Sequence, residues 1–212
     1  MDTLSPSSAA ADRPAAGASR TRPWILDAPV LCADGVARCP WSLTQPEVLR
    51  DHDDEWGLRP DSARGWFADL ALEILQAGLA PGTALQRRDA LGAAFDGFEP
   101  RHVALLDDEA IDLMLLDSTL IRNRAKLTAV VVAARALRSL EPEDWLELTA
   151  PGPADAAEAP AVGAGTEAPA IVGIVVGRLR AAGVVHVGPG TASRFLSRTG
   201  RAPAHVPGCH RA

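Results

Sequence analysis

With 212 residues, 47% of them hydrophobic, the chain can bury one good core, and a single folded domain with tails is the economical division. Its 21 Lys and Arg against 27 Asp and Glu give a formal net charge of −6, which argues mildly against nucleic-acid binding but leaves a local basic face open. No apolar run approaches the roughly 18 residues of a membrane span, because the stretch VVVAARALRSL is cut by Arg135 and Arg138, and the N-terminus lacks a charged-then-apolar signal pattern; a cytoplasmic protein is expected.

Residues 1–35 are rich in Ala, Ser, Pro and Arg without sustained periodicity, so a disordered tail is expected there. Thr44-Gln-Pro-Glu places a capping residue ahead of Pro46 and predicts a helix over 46–55. A longer helix is predicted over 61–80, where Trp66, Leu70, Ile74 and Ala77 recur at steps of three and four. Further helices are predicted over 84–95, 100–105, 108–115 and 120–140. The Pro, Ala and Gly of 150–170 predict a flexible surface insertion within a folded region running from 36 to 212. Beyond it, IVGIVVGRLRAAG has the β-branched content of a strand but carries Gly173 and Gly177.

Acidic residues are absent from 118–140, where Arg122, Arg124, Lys126, Arg135 and Arg138 lie, and again from 168–212, where Arg178, Arg180, Arg194, Arg198, Arg201 and Arg211 lie. A basic face on an acidic protein is therefore an expectation. Lys126 is the only lysine, so a Schiff-base step has one candidate nucleophile.

The most specific pattern lies at the chain ends. Cys39-x12-His52 and His205-x3-Cys209 supply two thiolates and two imidazoles, a set that suits one tetrahedral Zn2+. Of the three cysteines, Cys32 is then spare, and an odd count serves a disulfide framework poorly. Four ligands leave no coordination position for water, so the ion would be structural. A Cys39–Cys209 disulfide is the rival, and it leaves both histidines unexplained.

Around these ligands stand RCPW at 38–41 and DHDDEWG at 51–57, followed in order by LEILQAGL at 72–79, LIRNRAKLTAVVVAARA at 120–136 and HVPGC at 205–209. In that order the five segments resemble the 3-methyladenine DNA glycosylase I family, a zinc-containing branch of the helix-hairpin-helix glycosylases. The resemblance implies a mainly α fold with a structural zinc joining the N- and C-terminal segments, and it favours a helix over 171–183. It also implies a monofunctional N-glycosylase that removes 3-methyladenine or a related alkylated base from double-stranded DNA, acting as a monomer.

Carried over residue by residue, the resemblance makes Glu73 the carboxylate that recognises the base and Trp56 the aromatic that stacks on it. Gly78 and Leu79 match positions that probe the duplex where the base is extruded. A helix-hairpin-helix element is placed over 108–136 with its turn at 117–121, and Arg122, Arg124 and Lys126 are the expected phosphate contacts. Four departures stand out: Asp51 where a Tyr is usual, Pro81 where a Trp is usual, Thr119 where the hairpin usually has Gly, and TASRFLSR at 191–198, which keeps only Phe195 of an aromatic-rich segment. They leave two alternatives open: a zinc-bound paralogue acting on another ligand, and a catalytically silent DNA-binding module.

Overall fold

The computed structural model describes residues 28–151 and 170–212. The expected tail up to residue 27 and the expected insertion over 152–169 lie outside the described residues. Residues 28–35, counted with the tail, instead enter a small antiparallel hairpin: β1 (Val30–Leu31) pairs with β2 (Ala37–Arg38) in the register Val30↔Arg38 and Leu31↔Ala37. Its turn uses Gly35 at φ 78, and the amide of His210 donates to the carbonyl of Ala37, so the chain end is pinned to this hairpin.

The rest is helical. A 3-10 turn over Pro40–Thr44 leads into α1 (Pro46–Asp54), whose N-cap is Gln45 rather than Thr44; the Thr44 hydroxyl donates instead to the Trp41 carbonyl inside the turn. α2 (Ala63–Gln76) starts where the Ser62 hydroxyl accepts from the Gly65 amide, and it is shorter than the predicted 61–80. The chain turns away at Ala77 and at Gly78, which sits at φ 69. The segment read as one helix over 84–95 is two, α3 (Thr83–Gln86) and α4 (Arg88–Ala94), because Arg87 leaves helical geometry at ψ 8. α5 (Pro100–Val103) and α6 (Asp108–Leu116) follow as expected, α6 capped by the Asp107 carboxylate. α7 (Arg124–Leu137) begins later than the predicted 120, with the Asn123 side chain capping the Lys126 amide.

Two helices were not predicted. α8 (Pro142–Leu148) opens on a reciprocal Glu141/Asp144 capping box, and α10 (Pro189–Arg198) opens on Pro189. Between them, α9 (Ala170–Ala181) settles the β-branched run as a helix. In α9, Val172, Val175, Val176 and Leu179 are all buried, so helical burial overrides the β preference of valine.

α2 is the central helix, packed against α7, α10, α3 and α8. Trp66, Phe67 and Leu70 of α2, Leu127 of α7, Trp145 of α8 and Phe195 of α10 are all fully buried. The Trp66 and Trp145 rings stack 9° from parallel. Each such side chain contributes on the order of 1.5–3 kcal/mol of burial. The same core fixes Glu73 near the C-terminal end of α2, facing α10.

In the acid-free stretches the cations divide: Arg122, Arg138, Arg180 and Arg194 are exposed, whereas Arg135 and Arg178 also bond helix ends. Arg135 donates to the carbonyls of Ala104 and Leu106, and Arg178 to those of Glu147, Leu148 and Ala150. These carbonyls lie at or just beyond the C-terminal ends of α5 and α8, where a guanidinium satisfies both hydrogen bond and dipole.

Candidate functional site

Cys39, His52, His205 and Cys209 converge as the sequence predicts, with one donor atom from each lying within 4.8 Å of all the others. The His52 Nε2 stands 3.2 Å from His205 Nδ1 and 3.4 Å from Cys209 Sγ; His205 Nδ1 stands 3.7 Å from Cys39 Sγ and 3.8 Å from Cys209 Sγ. Both rings are oriented from behind. His52 Nδ1 meets the Asp53 carboxylate at 2.8 Å, and His205 Nε2 meets the Trp56 carbonyl at 3.1 Å, so the inward nitrogens are the ones left without protons. Arg38 holds Asp53 in turn at 2.9 Å. Burial pushes the Cys39 thiol up to about 11 and lowers His52 and His205, so at neutral pH the rings are uncharged. His210 lies outside the set, bonding the Ala37 carbonyl.

Gly57 shows how closely the ends meet. It sits at φ 82, and a Cβ there would lie 2.9 Å from both the Ala204 Cβ and the His205 Nε2. Only glycine fits between α1 and the C-terminal segment at this point.

Beside the cluster lies a cavity of about 380 Å³, walled by Trp41 and Trp56, by Pro81 and Leu85, and by Arg194 and Arg198 of α10. Trp56 is 7% exposed; its indole N–H donates to the Ala204 carbonyl at 2.9 Å, and the edge of Trp41 packs against it. Pro81 is a wall residue as expected, held by a hydrogen bond from Gln45 to its carbonyl at 3.0 Å. The Gly78–Pro81 loop is braced by a residue that sequence reasoning missed: Gln76 donates to the Leu79 and Ala80 carbonyls and accepts from the Ala84 amide. Leu79 is 36% exposed at its tip, open enough to meet a partner surface.

The polar floor departs from expectation. Glu73 is 1% exposed and is not among the residues lining the cavity. Arg198 Nε bonds one of its oxygens at 3.0 Å and Arg194 Nε the other at 2.6 Å. Arg198 also forks both terminal nitrogens onto Asp51 at 2.8 Å and lies 3.7 Å from Asp69. Asp51 is therefore the partner that holds a buried arginine. Its bidentate geometry is the strong form of this pair. Three carboxyls face two guanidiniums, and Asp69, the most distant, is pushed up to about 7 by burial against the pull of Arg198. The guanidiniums stand 4.9 Å (Arg198) and 5.8 Å (Arg194) from the Trp56 ring centroid, over an aromatic expected to receive a base. The clue in the sequence was the i, i+4 spacing of Arg194 and Arg198 together with the unusual acid at 51.

The hairpin over 108–136 forms, with α6 and α7 joined by a turn in which Leu120 and Ile121 are buried. Its cations divide. Arg122 is exposed, Arg124 pairs with Asp112, and Lys126 turns inward to the carbonyls of Leu75 and Ala77. Lys126 is thus a cap on α2 rather than a free phosphate contact, because the end of α2 leaves those carbonyls without helical partners. Thr119 gives both its amide (2.8 Å) and its hydroxyl (2.7 Å) to the Asp117 carboxylate, and these bonds hold Asp117 below the usual carboxylate range.

A helix-hairpin-helix body whose joined chain ends wall an aromatic and charged cavity is the class these features define. A model of the methyladenine glycosylase family matches residues 41–212, and the chain belongs to that family. It is 35% identical over 104 residues to DNA-3-methyladenine glycosylase 1 of Escherichia coli (strain K12), and 38% identical over 104 residues to DNA-3-methyladenine glycosylase of Haemophilus influenzae. Each alignment covers 49% of this chain and 56% of the relative, so the chain spans little more than half the length of these curated relatives. A crystal structure of 3-methyladenine DNA glycosylase I superposes with a TM-score of 0.69 at 25% identity, covering 82% of this chain and 98% of the other.

Proposed function

We propose that the protein is a monofunctional DNA N-glycosylase that releases 3-methyladenine or a related alkylated base from double-stranded DNA, on a scaffold closed by one structural Zn2+. The family match over residues 41–212, joined to a base-sized cavity beside Trp56, carries this reading. An extruded base would enter between Trp56 and Pro81 while Leu79 faces the gap it leaves. In the hydrolysis, the N-glycosidic bond breaks with its electron pair leaving on the base, and a water oxygen bonds to the sugar carbon as its proton is released. Lys126 supports the monofunctional form, because the only lysine, the side chain able to open the sugar as a Schiff base, is engaged by two carbonyls.

The donor set fits zinc. For bonds of about 2.3 Å to sulfur and about 2.0 Å to nitrogen, a tetrahedron has edges of roughly 3.3 Å between nitrogens and 3.5 Å between nitrogen and sulfur. Four of the six edges, at 3.2 Å and 3.4–3.8 Å, are close to that shape, and the two between Cys39 and His52 or Cys209 lie within 4.8 Å. Incubating the full chain with methylated duplex DNA and identifying released bases by mass tests the activity. We expect a free alkylated base and an abasic strand that breaks only on alkaline treatment. A folded, zinc-loaded protein that releases no base overturns the reading, and direct strand cleavage overturns its monofunctional part.

The hairpin supports DNA contact but carries a negative group at its tip. Asp117→Asn keeps a turn acceptor and removes the charge, and about a 3-fold to 10-fold gain in affinity for duplex DNA is expected at low salt. The gain should shrink as salt rises, which fluorescence anisotropy across a salt series would read. An unchanged affinity would place the hairpin away from the phosphates.

A further inference from the structure

The cavity beside the joined chain ends has two unlike kinds of wall. Asp51 brings a carboxylate to the lining, and with Glu73 it offsets the guanidiniums of Arg194 and Arg198, so this wall accepts the positive charge that an alkylated base carries while attached to DNA. Trp41, Val48, Pro81 and Leu85 make the apolar wall. Trp56 adds little free surface to it, because it is 7% exposed and both guanidiniums stand over its ring.

The apolar wall is held from behind. Gln45 donates to the Pro81 carbonyl at 3.0 Å and accepts from Gln86 at 2.9 Å, which fixes α3 against α1. Gly82, at φ 79, passes so close to α1 that a Cβ there would lie 2.5 Å from Gln45 Oε1 and 2.7 Å from Val48 Cγ2. A wall packed this way does not close down on a small ligand. At about 380 Å³ the space belongs with the roughly 300–1,000 Å³ sites that hold drug-sized molecules, and a methylated purine alone leaves part of it empty.

We propose that the pocket is shaped for a base bearing a bulky apolar N-substituent, of benzyl size, which it prefers to a methylated base, and that Leu85 sets this preference. The inference rests on the glycosylase reading for its reaction and names a substrate class within it. The charged base lies by Asp51 while its substituent covers Trp41, Pro81 and Leu85. Covering that wall removes apolar surface from water, which a methyl group does only in part.

Titration calorimetry of the full chain with 3-methyladenine and 3-benzyladenine reads the preference. The parent should bind the benzyl base about 10-fold or more tighter, a difference of roughly 1.4 kcal/mol. Leu85→Trp, which occupies the space meant for the substituent, should bring the two affinities within about 2-fold by weakening the benzyl base far more than the methyl base. Leu85→Phe, a smaller intrusion, should cut the preference about 3-fold and keeps the test open if the tryptophan prevents folding. A parent that binds the benzyl base no tighter, a folded variant that shifts both ligands equally, or no binding of either base up to millimolar concentration each overturns the proposal. Duplex DNA treated with a methylating or a benzylating agent separates the two readings. The stated preference in binding with no base released from either DNA sinks the glycosylase reading alone, whereas release of methyladenine without a benzyl preference in binding sinks this one alone.

Discussion

Replacing Arg198 with methionine should cost the folded state about 3–5 kcal/mol, the usual loss when one partner of a buried ion pair is removed. For a protein of this size that is a fall in Tm of roughly 6–20 °C. Arg198 is 2% exposed and is shared by Asp51 and Glu73, both equally enclosed, with Asp69 at 3.7 Å. Methionine fills the volume of the stem but leaves two carboxylates buried without their cation, and Arg194 reaches only Glu73. The pH dependence follows from the sign of the resulting shifts. An acid whose folded pKa is raised holds a proton in the native state that the unfolded chain has lost, so its stability is greatest below the unfolded pKa and falls as pH rises through the folded one. Asp69, pushed up to about 7, already imposes such a fall between about pH 4 and 7 in the parent protein. Arg198→Met removes the cation that opposes the burial of Asp69, so the deficit should be largest at neutral pH and shrink on acidification towards pH 4. Adding Asp51→Asn and Glu73→Gln should recover much of the loss. Thermal melts across pH decide the matter, and a variant within about 0.5 kcal/mol of the parent at neutral pH would show that the cluster carries no stability.

The cluster also marks where sequence reading succeeded and where it stopped. The convergence of Cys39, His52, His205 and Cys209 was legible because thiol and imidazole pairs at such spacing serve few other purposes, and the helices with strong apolar periodicity, α2, α6 and α7, were found with their ends displaced. α10 was missed because its value lies in tertiary pairing. Read along the chain, Arg194 and Arg198 are two more residues of a basic stretch. In the fold they meet acids more than 100 positions away. Arg135, Arg178 and Lys126 repeat the lesson, since the open carbonyls they cap become visible only once each helix end is located. Charge was legible as composition, whereas which cations cap a helix end was not. The same blindness made Glu73 look like a free recognition group, because no sequence pattern tells an available carboxylate from an occupied one.

Loss of a zinc ligand should disable the cavity without dismantling the helical core. In Cys209→Ser the softer, more strongly binding thiolate is replaced by a hydroxyl, and bound zinc should fall well below one per chain by elemental analysis of dialysed protein. The core of α2, α7 and α10 does not depend on the cluster, so far-ultraviolet circular dichroism should stay helical. The segments released are the β1–β2 hairpin and the C-terminal stretch that supplies His205 and Cys209. Trp56 then loses its hold, because its indole bonds the Ala204 carbonyl and its own carbonyl accepts from His205. The wall of the cavity therefore goes with the metal, and base release should fall further than stability does. A loss of roughly 3 kcal/mol, or about 6–12 °C in Tm, is expected from untying the ends. Asp53→Asn provides the graded case. It leaves all four ligands but weakens the acceptor that orients His52, and zinc affinity should drop about 10- to 100-fold. If the purified parent holds no zinc and a chelator changes neither its melting temperature nor its base release, the four side chains are a buried polar knot, and the closure of the chain ends rests on packing at Gly57 and on hydrogen bonds such as Trp56–Ala204 and His210–Ala37.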